Sequence, residues 1–317
     1  MSAVQKDPAV KLKPVVNHNP ALQGYYKSLE SRIGYRLLLG NTRHFGYWDK
    51  DTFRVFPLSG PLRRMEEKMY RLLNLGQGSK VLDAGCGVGH VALYMAERGL
   101  QVTGIDVVDH HLHKAERNIS RAGKPGSRVT VQKMDYQHLE TFEDDSFDGV
   151  YTMETFVHAT EPHQVLKGFH RVLRPGGRIV MHEYDHDDDS GEIKTKPLAN
   201  LMNDVSGNAA MPVLQQAKRG YYKQLLEEAG FVDVQERDYS ENVRPMLRLF
   251  WLLAVIPYHI IAFCNLERYF VNAVAGAWGY HTQKYWRYLA ISARKPEAAV
   301  DDLQKGIIKA DGTQNRK

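Results

Sequence analysis

Residues 81–90 read VLDAGCGVGH, a short apolar run and an acid followed by glycine at positions 85, 87 and 89. Glycine loses more conformational freedom on folding than any other residue, so three glycines within five positions need a structural reason. Two reasons are open at this point: a tight turn that requires positive φ, or a ligand that lies against the main chain. The segments on either side of the glycines bear on the choice.

The flanking sequence alternates between two periodicities. Short buried-type strand patterns lie at 80–84, 101–106, 128–135, 147–153 and 177–184. Helical patterns separate or precede them, at 59–75, 91–99, 110–123 and 161–173. This alternation predicts an α/β fold with a doubly wound, mostly parallel sheet and helices on both of its faces. In such a sheet, ligands bind beyond the carboxyl ends of the strands.

The pattern changes after residue 185. A helix is expected at 220–231, and strands at 231–239 and 285–295 enclose a mostly apolar insertion, residues 240–285. The longest apolar run, residues 249–264, is interrupted by Pro257 and His259 and falls short of the ~20 apolar residues that a membrane-spanning helix needs. Three roles remain open for it: a buried helical pair, a lid over an apolar pocket, or a segment that lies on a membrane surface.

Composition limits the class of protein. The chain has 317 residues, of which 43% are hydrophobic and 25% charged, enough for one large domain with additions. We expect a leader over 1–20, a domain over 21–298 that starts with an N-terminal helical cap at 21–58, and a flexible tail over 299–317. Two cysteines do not make a disulfide framework, and no basic-then-apolar signal segment starts the chain. A cytoplasmic location is expected, with contact to an internal membrane left open.

Charge and ligand-type side chains exclude two further classes. The net charge of +5 is spread along the chain, so nucleic-acid binding is not expected. The stretch HEYDHDDD (182–189) crowds His and Asp together, but consecutive loop residues rarely converge on one ion, so no metal is expected there.

Three acids lie at the ends of three of the predicted strands and indicate the ligand. The glycine spacing is G-x-G-x-G rather than the G-x-G-x-x-G of dinucleotide sites. Asp83 suits an ammonium group, and Asp106, 21 residues after Gly85, is placed to bind both hydroxyls of a ribose. Asp135 ends the third strand, where a carboxylate could accept from the exocyclic amine of adenine. An unphosphorylated adenosine ligand fits all three acids.

Five motifs in the order DAGCGVG, GIDVV, KMDY, DDSFDGVYTMETFVHA and VLRPGG resemble the class I S-adenosylmethionine-dependent methyltransferases over about residues 60–185. The resemblance implies a seven-stranded sheet of order 3-2-1-4-5-7-6 whose last strand is antiparallel, and S-adenosylmethionine as cofactor. The cofactor contacts that it implies are Asp83, Gly85, Cys86, Gly87, Gly89, Asp106, Val107, Asp135, Tyr136 and Met153.

Further motifs are similar to the sterol C-24 methyltransferases and related small-molecule enzymes. These are YTMETFVHA (151–159), VMHEYD (180–185) and SARKPE (292–297), whereas the insertion departs from the pattern of that group. RHFGYW (43–48), preceded by GYY (24–26), resembles the aromatic N-terminal segment that closes over the cofactor in such enzymes. The residues expected to line the substrate or form this lid are Tyr25, Tyr26, Phe45, Tyr47 and Trp48, with a role as core aromatics equally open.

Three side chains are candidates for proton transfer. Glu154 and Glu183 are expected at the ends of the fourth and fifth strands, facing the same crevice, and His158 is the other candidate base, with a structural role as its alternative. We therefore expect an S-adenosylmethionine-dependent methyltransferase that acts on a lipophilic small molecule. C-methylation of a sterol or terpenoid is favoured, N- or O-methylation of a secondary metabolite is the alternative, and a non-catalytic regulator stays open. The sequence does not indicate the oligomeric state.

Overall fold

The computed structural model describes residues 42–187 and 205–297, together with 19–28 and six single positions (16, 30, 34, 36, 39 and 40). The whole of the expected tail and all but three positions of the expected leader lie outside the described residues. The domain bounds derived from the sequence therefore stay predictions.

Strands and helices follow the predicted alternation. The strands are β1 Lys80–Ala84, β2 Gln101–Asp106, β3 Val129–Lys133, β4 Phe147–Met153, β5 Leu173–His186, β6 Val232–Asp238 and β7 Trp286–Arg294. The α-helices among the described residues are α1 Pro20–Lys27, α2 Ser59–Leu73, α3 His90–Glu97, α4 Asp109–Arg121, α5 Pro162–Val172, α6 Tyr221–Glu228, α7 Ser240–Phe263 and α8 Val271–Gly279.

All seven of these strands belong to one sheet of order β3-β2-β1-β4-β5-β7-β6. Strand β1 is central and pairs in parallel with β2 on one side and β4 on the other, whereas β7 is antiparallel to both β5 and β6. The predicted fold class and strand order are confirmed. Because the strand order reverses between β1 and β4, a crevice opens beyond their carboxyl ends, and the glycine loop after β1 borders it.

Helices cover both faces of the sheet because each presents one apolar stripe. In α2, Leu62, Met65, Met69 and Leu73 recur at helical spacing and are all buried. Met65, Met69 and Leu73 belong to the core cluster that includes Val180 of the sheet, and Leu62 packs in the neighbouring cluster with Trp48. The opposite face is covered by α5 and α6, which together with the sheet bury the larger core cluster.

The apolar insertion forms α7 and α8. Helix α7 continues through Pro245 and Pro257 for 24 residues, so Pro257 interrupts the apolar run without ending the helix, and this helix is long and apolar enough to cross a membrane by length and composition. Its first half is buried at Val243, Met246 and Leu249, which tie it to the domain. The most apolar 18-residue window is only 33% buried, because the second half of the helix leaves the core.

Candidate active site

The glycine loop adopts left-handed conformations, one of the two reasons that the sequence left open for its glycines. Gly85, Gly87 and Gly89 have φ of 97°, 53° and 81°. A Cβ at Gly85 would lie 2.7 Å from the side chain of Thr155, whose hydroxyl donates a hydrogen bond to the carbonyl of Ala84 at 2.7 Å. A Cβ at Gly87 would meet no atom within 4 Å. The first glycine is therefore bare because a neighbouring side chain packs on it, while the second faces open space.

That open space is a cavity at the carboxyl ends of β1, β2 and β4, here named the glycine-loop cavity. Eight of the ten predicted cofactor contacts line it: Asp83, Gly85, Cys86, Gly87, Asp106, Val107, Tyr136 and Met153. Topology alone brings these residues together, since they come from the ends of neighbouring parallel strands.

Asp106 holds the glycine loop in place. Its carboxylate accepts hydrogen bonds from the main-chain N–H of Gly87 at 2.9 Å and of Val108 at 2.8 Å, and His111 Nδ1 lies 3.3 Å away. Burial alone would raise the pKa of Asp106, but His111 and the two amides outweigh burial and lower it. Asp106 is therefore an anion at the cavity wall, with His111 as a partner that sequence reasoning missed.

Asp83 lines the same cavity as Asp106, but its pKa is shifted in the opposite direction. The side chain is buried, and its Oδ2 has no hydrogen-bond partner among the described residues. Burial raises the pKa of Asp83 to about 7 with a further contribution from the negative charge of Asp106, although the nearby hydroxyl of Tyr151 acts in the opposite direction. A buried carboxylate oxygen without a partner at a cavity wall suits a ligand that brings a positive charge.

Two predicted cofactor contacts do not line the cavity. Gly89 caps the start of α3, where a Cβ would lie 3.3 Å from the side chain of Ala115. Strand β3 ends at Lys133, two residues earlier than expected, and the Oδ1 of Asp135 accepts a hydrogen bond from the N–H of Gln137 at 2.9 Å. The carboxylate of Asp135 is thus used within its own turn, and its neighbours Met134 and Tyr136 border the cavity instead.

A second cavity of about 450 Å³, here named the apolar cavity, lies between the N-terminal segment, α7 and α8. Its wall is mostly apolar, with Phe45, Met246 and Phe250 among the side chains that line it. Arg43, His44 and Glu154 border both cavities. The cavities meet at these three residues, none of which the sequence placed at a junction.

Glu154 follows β4 with φ of 58°. Its Oε1 accepts hydrogen bonds from the main-chain N–H of Phe45 at 2.7 Å and from the hydroxyl of Tyr288 at 2.8 Å, and its Oε2 accepts one from the hydroxyl of Tyr184. Burial raises the pKa of Glu154 above its usual value, although these bonds act in the opposite direction. Of the three candidate bases, Glu154 alone borders both cavities.

His158 has a structural environment. Because a carbonyl oxygen can only accept, its Nδ1 donates to the carbonyl of Ala210 at 2.8 Å, which leaves Nε2 to accept from the hydroxyl of Tyr26 at 3.0 Å. Burial lowers the pKa of His158 to about 4, so the ring is neutral near pH 7. The side chain positions Tyr26 at the glycine-loop cavity.

Glu183 does not face the crevice, so its predicted orientation is wrong. It is fully buried and borders neither cavity. Its Oε1 accepts hydrogen bonds from the main-chain N–H of Thr155 and Phe156, at 3.2 and 2.8 Å, and from the hydroxyl of Thr152 at 3.2 Å. Burial raises its pKa to about 8. Successive side chains of a strand point to opposite faces, so its neighbour Tyr184 is the one that reaches Glu154.

The predicted lid aromatics divide into two groups. Tyr25 and Phe45 border the apolar cavity and Tyr26 borders the glycine-loop cavity. Tyr47 and Trp48 border neither cavity, so their assignment to the lid is corrected: both are core residues. Trp48 packs in one cluster with Leu58 and Met246. Tyr47 lies edge-on to Tyr239, with 5.0 Å between the ring centroids.

His44 is a further residue that sequence reasoning missed, although RHFGYW contains it. It is buried, its Nδ1 lies 2.9 Å from the carbonyl of Phe45, and its Nε2 lies 3.5 Å from Glu66 Oε1. Burial alone would lower the pKa of His44, but the bond and the charge of Glu66 outweigh burial and raise it. Within the described ranges, no cluster of three His, Cys, Asp or Glu side chains could hold a metal ion.

The chain is similar to proteins of known activity. Residues 82–181 match the family described as methyltransferase domain. The chain is 42% identical over 277 residues to the S-adenosyl-L-methionine-dependent Diels-Alderase iccD of Talaromyces variabilis, covering 87% of this chain and 95% of that protein. It is 30% identical over 265 residues to the methyltransferase GfsG of Streptomyces halstedii, covering 82% and 90%. The chain therefore belongs to the class I S-adenosylmethionine-dependent methyltransferases.

A solved structure shares the fold. The crystal structure of the [4+2]-cyclase SpnF superposes with a TM-score of 0.66 and 22% identity, covering 86% of this chain and 97% of that one. This structure supports the methyltransferase fold that the sequence predicted, while the relatives above carry the assignment to S-adenosylmethionine-dependent enzymes.

The residues present fit S-adenosylmethionine. The Oδ2 of Asp83 lacks a partner among the described residues and can accept from an ammonium group, while Gly87 leaves the loop open for close approach. The anionic Asp106 stands at the end of β2, where this class of sheet places its ribose contact. When bound, the cofactor supplies a sulfonium that carries a fixed positive charge and a transferable methyl group.

Proposed function

We propose that this protein catalyses an S-adenosylmethionine-dependent Diels–Alder cyclisation of a lipophilic polyene. The observation that carries the proposal is the junction of the two cavities, where the carboxylate of Glu154 is held by Phe45, Tyr184 and Tyr288. A side chain engaged by three donors is suited to shaping a pocket rather than to accepting a proton. The identity of 42% to a Diels-Alderase over 87% of the chain supports the same reaction class.

A Diels–Alder cyclisation needs neither a base nor a leaving group. Three π bonds become two σ bonds and one π bond, and no atom is gained or lost. The chain must hold diene and dienophile at near-attack distance, and this positioning supplies most of the acceleration. The apolar cavity, at about 450 Å³, supports this role because a long apolar molecule must fold to be removed from water within it.

Positive charge at the junction favours a dienophile conjugated to a carbonyl group. Arg43 borders both cavities, and the raised pKa of His44, to which Glu66 contributes, favours its cationic form at the same place. Fixed positive charge stabilises electron density that develops on a carbonyl oxygen in the transition state. Polarisation of this kind lowers the barrier of the cyclisation.

One polar cluster on the cavity wall indicates that the substrate also carries a polar group. The hydroxyl of Tyr25 donates to Asn272 Oδ1 at 2.7 Å, and Asn272 Nδ2 donates to Glu30 at 2.8 Å. All three side chains border the apolar cavity. Their remaining lone pairs can accept from a hydroxyl or amide of a substrate, and we propose that they fix its orientation.

Methyl transfer is the second candidate, favoured by the raised pKa of Glu154 at the junction. C-methylation of a sterol-like or terpenoid alkene leaves a cation that must lose a proton, and O-methylation must remove a hydroxyl proton. Glu154 is the one candidate base that borders both cavities, so it would accept that proton in either case. The motifs YTMETFVHA and SARKPE support the carbon acceptor.

Product analysis separates the two candidates. The protein is incubated with S-adenosylmethionine and a linear polyene that carries a diene, a carbonyl-conjugated alkene and a terminal hydroxyl. We expect an isomer of unchanged mass, formed without S-adenosylhomocysteine. A product one CH₂ heavier, with S-adenosylhomocysteine in equal amount, would overturn the cyclase proposal in favour of methyl transfer.

The variant Glu154→Gln provides the matched control. Gln keeps an acceptor oxygen for Phe45 N–H but cannot take a proton, so cyclisation should persist and methyl transfer should be lost. A protein that binds S-adenosylmethionine but forms no product from any polyene, sterol or phenol tested would contradict both candidates and would favour a non-catalytic regulator.

A further inference from the structure

The second half of α7 exposes large apolar side chains that the domain does not use. Leu252, Ile256, Ile260 and Phe263 lie three or four residues apart and therefore share one face of the helix, with Ile256 72% and Phe263 90% exposed. The following turn adds Leu266, Tyr269 and Phe270. These seven residues are named the apolar face. Soluble domains rarely leave so continuous a set of large apolar side chains in water without a partner.

The sequence of this segment is free of ionic charge. Residues 249–266 contain no Asp, Glu, Lys or Arg. Ionic side chains return at Glu267 and Arg268, and Arg268 is exposed next to Tyr269 and Phe270 of the face. An uncharged apolar face bordered by exposed basic and aromatic side chains is the pattern of helices that lie in the interface of a membrane.

The geometry excludes a spanning role for α7 despite its length. Val243, Met246 and Leu249 of its first half are buried in the domain core, so only about 12 residues are available, or about 18 Å of helix. That is well short of the ~30 Å hydrocarbon core of a bilayer. The exposed half can therefore lie on a membrane but cannot cross it.

The apolar face is continuous with the mouth of the apolar cavity. Leu253, Pro257 and Trp278 line the cavity and are also exposed at the surface next to the face. A second copy of the chain docked here would close this mouth. A lipid leaflet would instead present dissolved lipophilic molecules to it, so the position of the cavity favours lipid over a protein partner.

We propose that the apolar face docks the protein onto a lipid surface and that the apolar cavity takes its substrate from that surface. The docking does not depend on which reaction follows, because binding is measured without substrate. Failure of the cyclase proposal would therefore leave the membrane proposal intact, and the reverse also holds.

Vesicle co-sedimentation tests the docking. The full chain is mixed with vesicles of phosphatidylcholine and phosphatidylserine, and the bound fraction is compared for wild type, Phe263→Ser and the triple variant Ile256→Ser/Ile260→Ser/Phe263→Ser. None of the three residues borders the cavity. We expect the apparent affinity to fall about threefold for the single variant and at least about tenfold for the triple variant, since binding follows buried apolar area.

Phe53→Ser is the matched control, because Phe53 is 85% exposed but lies outside the apolar face. It should bind vesicles like the wild type, and all variants should keep the wild-type unfolding midpoint. No binding by the wild type, or equal loss in Phe53→Ser, would overturn the proposal. So would a wild-type dimer in light scattering that becomes monomeric in the triple variant without vesicle binding, because the face would then serve self-association.

Discussion

The carboxylate of Glu154 accepts a hydrogen bond from the main-chain N–H of Phe45 at 2.7 Å. The bond joins the end of β4 to the N-terminal segment, 109 residues earlier, at the place where the glycine-loop and apolar cavities meet. Because Tyr184 and Tyr288 bind the same carboxylate, the segment is held to the sheet through one side chain. Glu154 therefore links the N-terminal segment to the sheet at this junction, while the main-chain N–H groups of Tyr47 and Trp48 tie the same segment to α2 and α7 through the carbonyls of Pro61 and Asn242.

Removing this acceptor should open the N-terminal segment. Glu154→Ala leaves the N–H of Phe45 and two buried hydroxyls without a partner, a loss of about 1.5–3 kcal/mol for a bond to a charged group. We expect S-adenosylmethionine to bind about tenfold more weakly by calorimetry and residues 42–45 to become more sensitive to protease. Glu154→Gln should lose less than about threefold. Equal affinity of Glu154→Ala and the wild type for S-adenosylmethionine would show that Glu154 does not hold the N-terminal segment over the cofactor.

Asp106→Ala should weaken binding of S-adenosylmethionine by at least about tenfold, since two loop amides bind this carboxylate and the ribose contact predicted from the sequence would be lost with it. Asp135→Ala is the control, because Asp135 does not border the cavity and should change affinity less than about twofold. Calorimetry measures both, with thermal unfolding to show that each variant folds. Unchanged affinity in Asp106→Ala would exclude the ribose assignment, and a large loss in Asp135→Ala would restore the adenine contact predicted from the sequence.

Binding of S-adenosylmethionine should also depend on pH through Asp83. Its pKa of about 7 means that the free protein carries this carboxyl partly protonated near neutral pH, whereas an ammonium ligand favours the ionised form. Affinity should therefore rise between about pH 6 and about pH 8 and then level off, with protons released on binding. Calorimetry in buffers of different ionisation enthalpy detects the release. Asp83→Asn should bind weakly with a flatter profile, and an unaltered profile would exclude Asp83 as the source.

Replacing Glu183 should change the stability of the fold and leave turnover unchanged. Its pKa is raised from 4.5 to about 8 in the fold, so its contribution to stability is fully present below about pH 4.5 and is lost as the pH rises through about 8. Glu183→Gln keeps the acceptor for Thr155 and Phe156 without the buried charge. We expect its unfolding midpoint to exceed that of the wild type by about 2–4 °C at alkaline pH and to match it at about pH 5.

Turnover of Glu183→Gln should equal that of the wild type, because Glu183 borders neither cavity. A variant that folds, shows the pH-dependent gain and has lost turnover would return Glu183 to the list of catalytic residues. A midpoint that is lower than that of the wild type at every pH would contradict the proposed penalty of the buried charge.

The strands and helices were predictable because each element is encoded locally, whereas the strand order followed from the resemblance to the class I methyltransferases. Apolar runs such as VLDA and alternating helical stripes such as the one through Met65 and Met69 depend only on neighbouring residues. The predicted direction of a side chain was wrong where a shift of one residue along a strand turns it to the opposite face of the sheet. The stretch HEYD places Glu183 in the core and Tyr184 at the cavity, and the sequence could not distinguish these orientations because both faces of a central strand are buried.

The amino-acid sequence by itself determined the doubly wound sheet, the left-handed glycine turn and the acids at the strand ends, since these follow from short-range periodicity and from the conformational freedom of glycine. Only the tertiary structure decided that Phe45, Glu154, Tyr184 and Tyr288 converge on one carboxylate, and that α7 is half core and half exposed face. Contacts between residues more than 100 positions apart depend on how the whole chain packs. The same type of side chain can occupy a core, a lid or a surface, and its neighbours in the folded chain decide which.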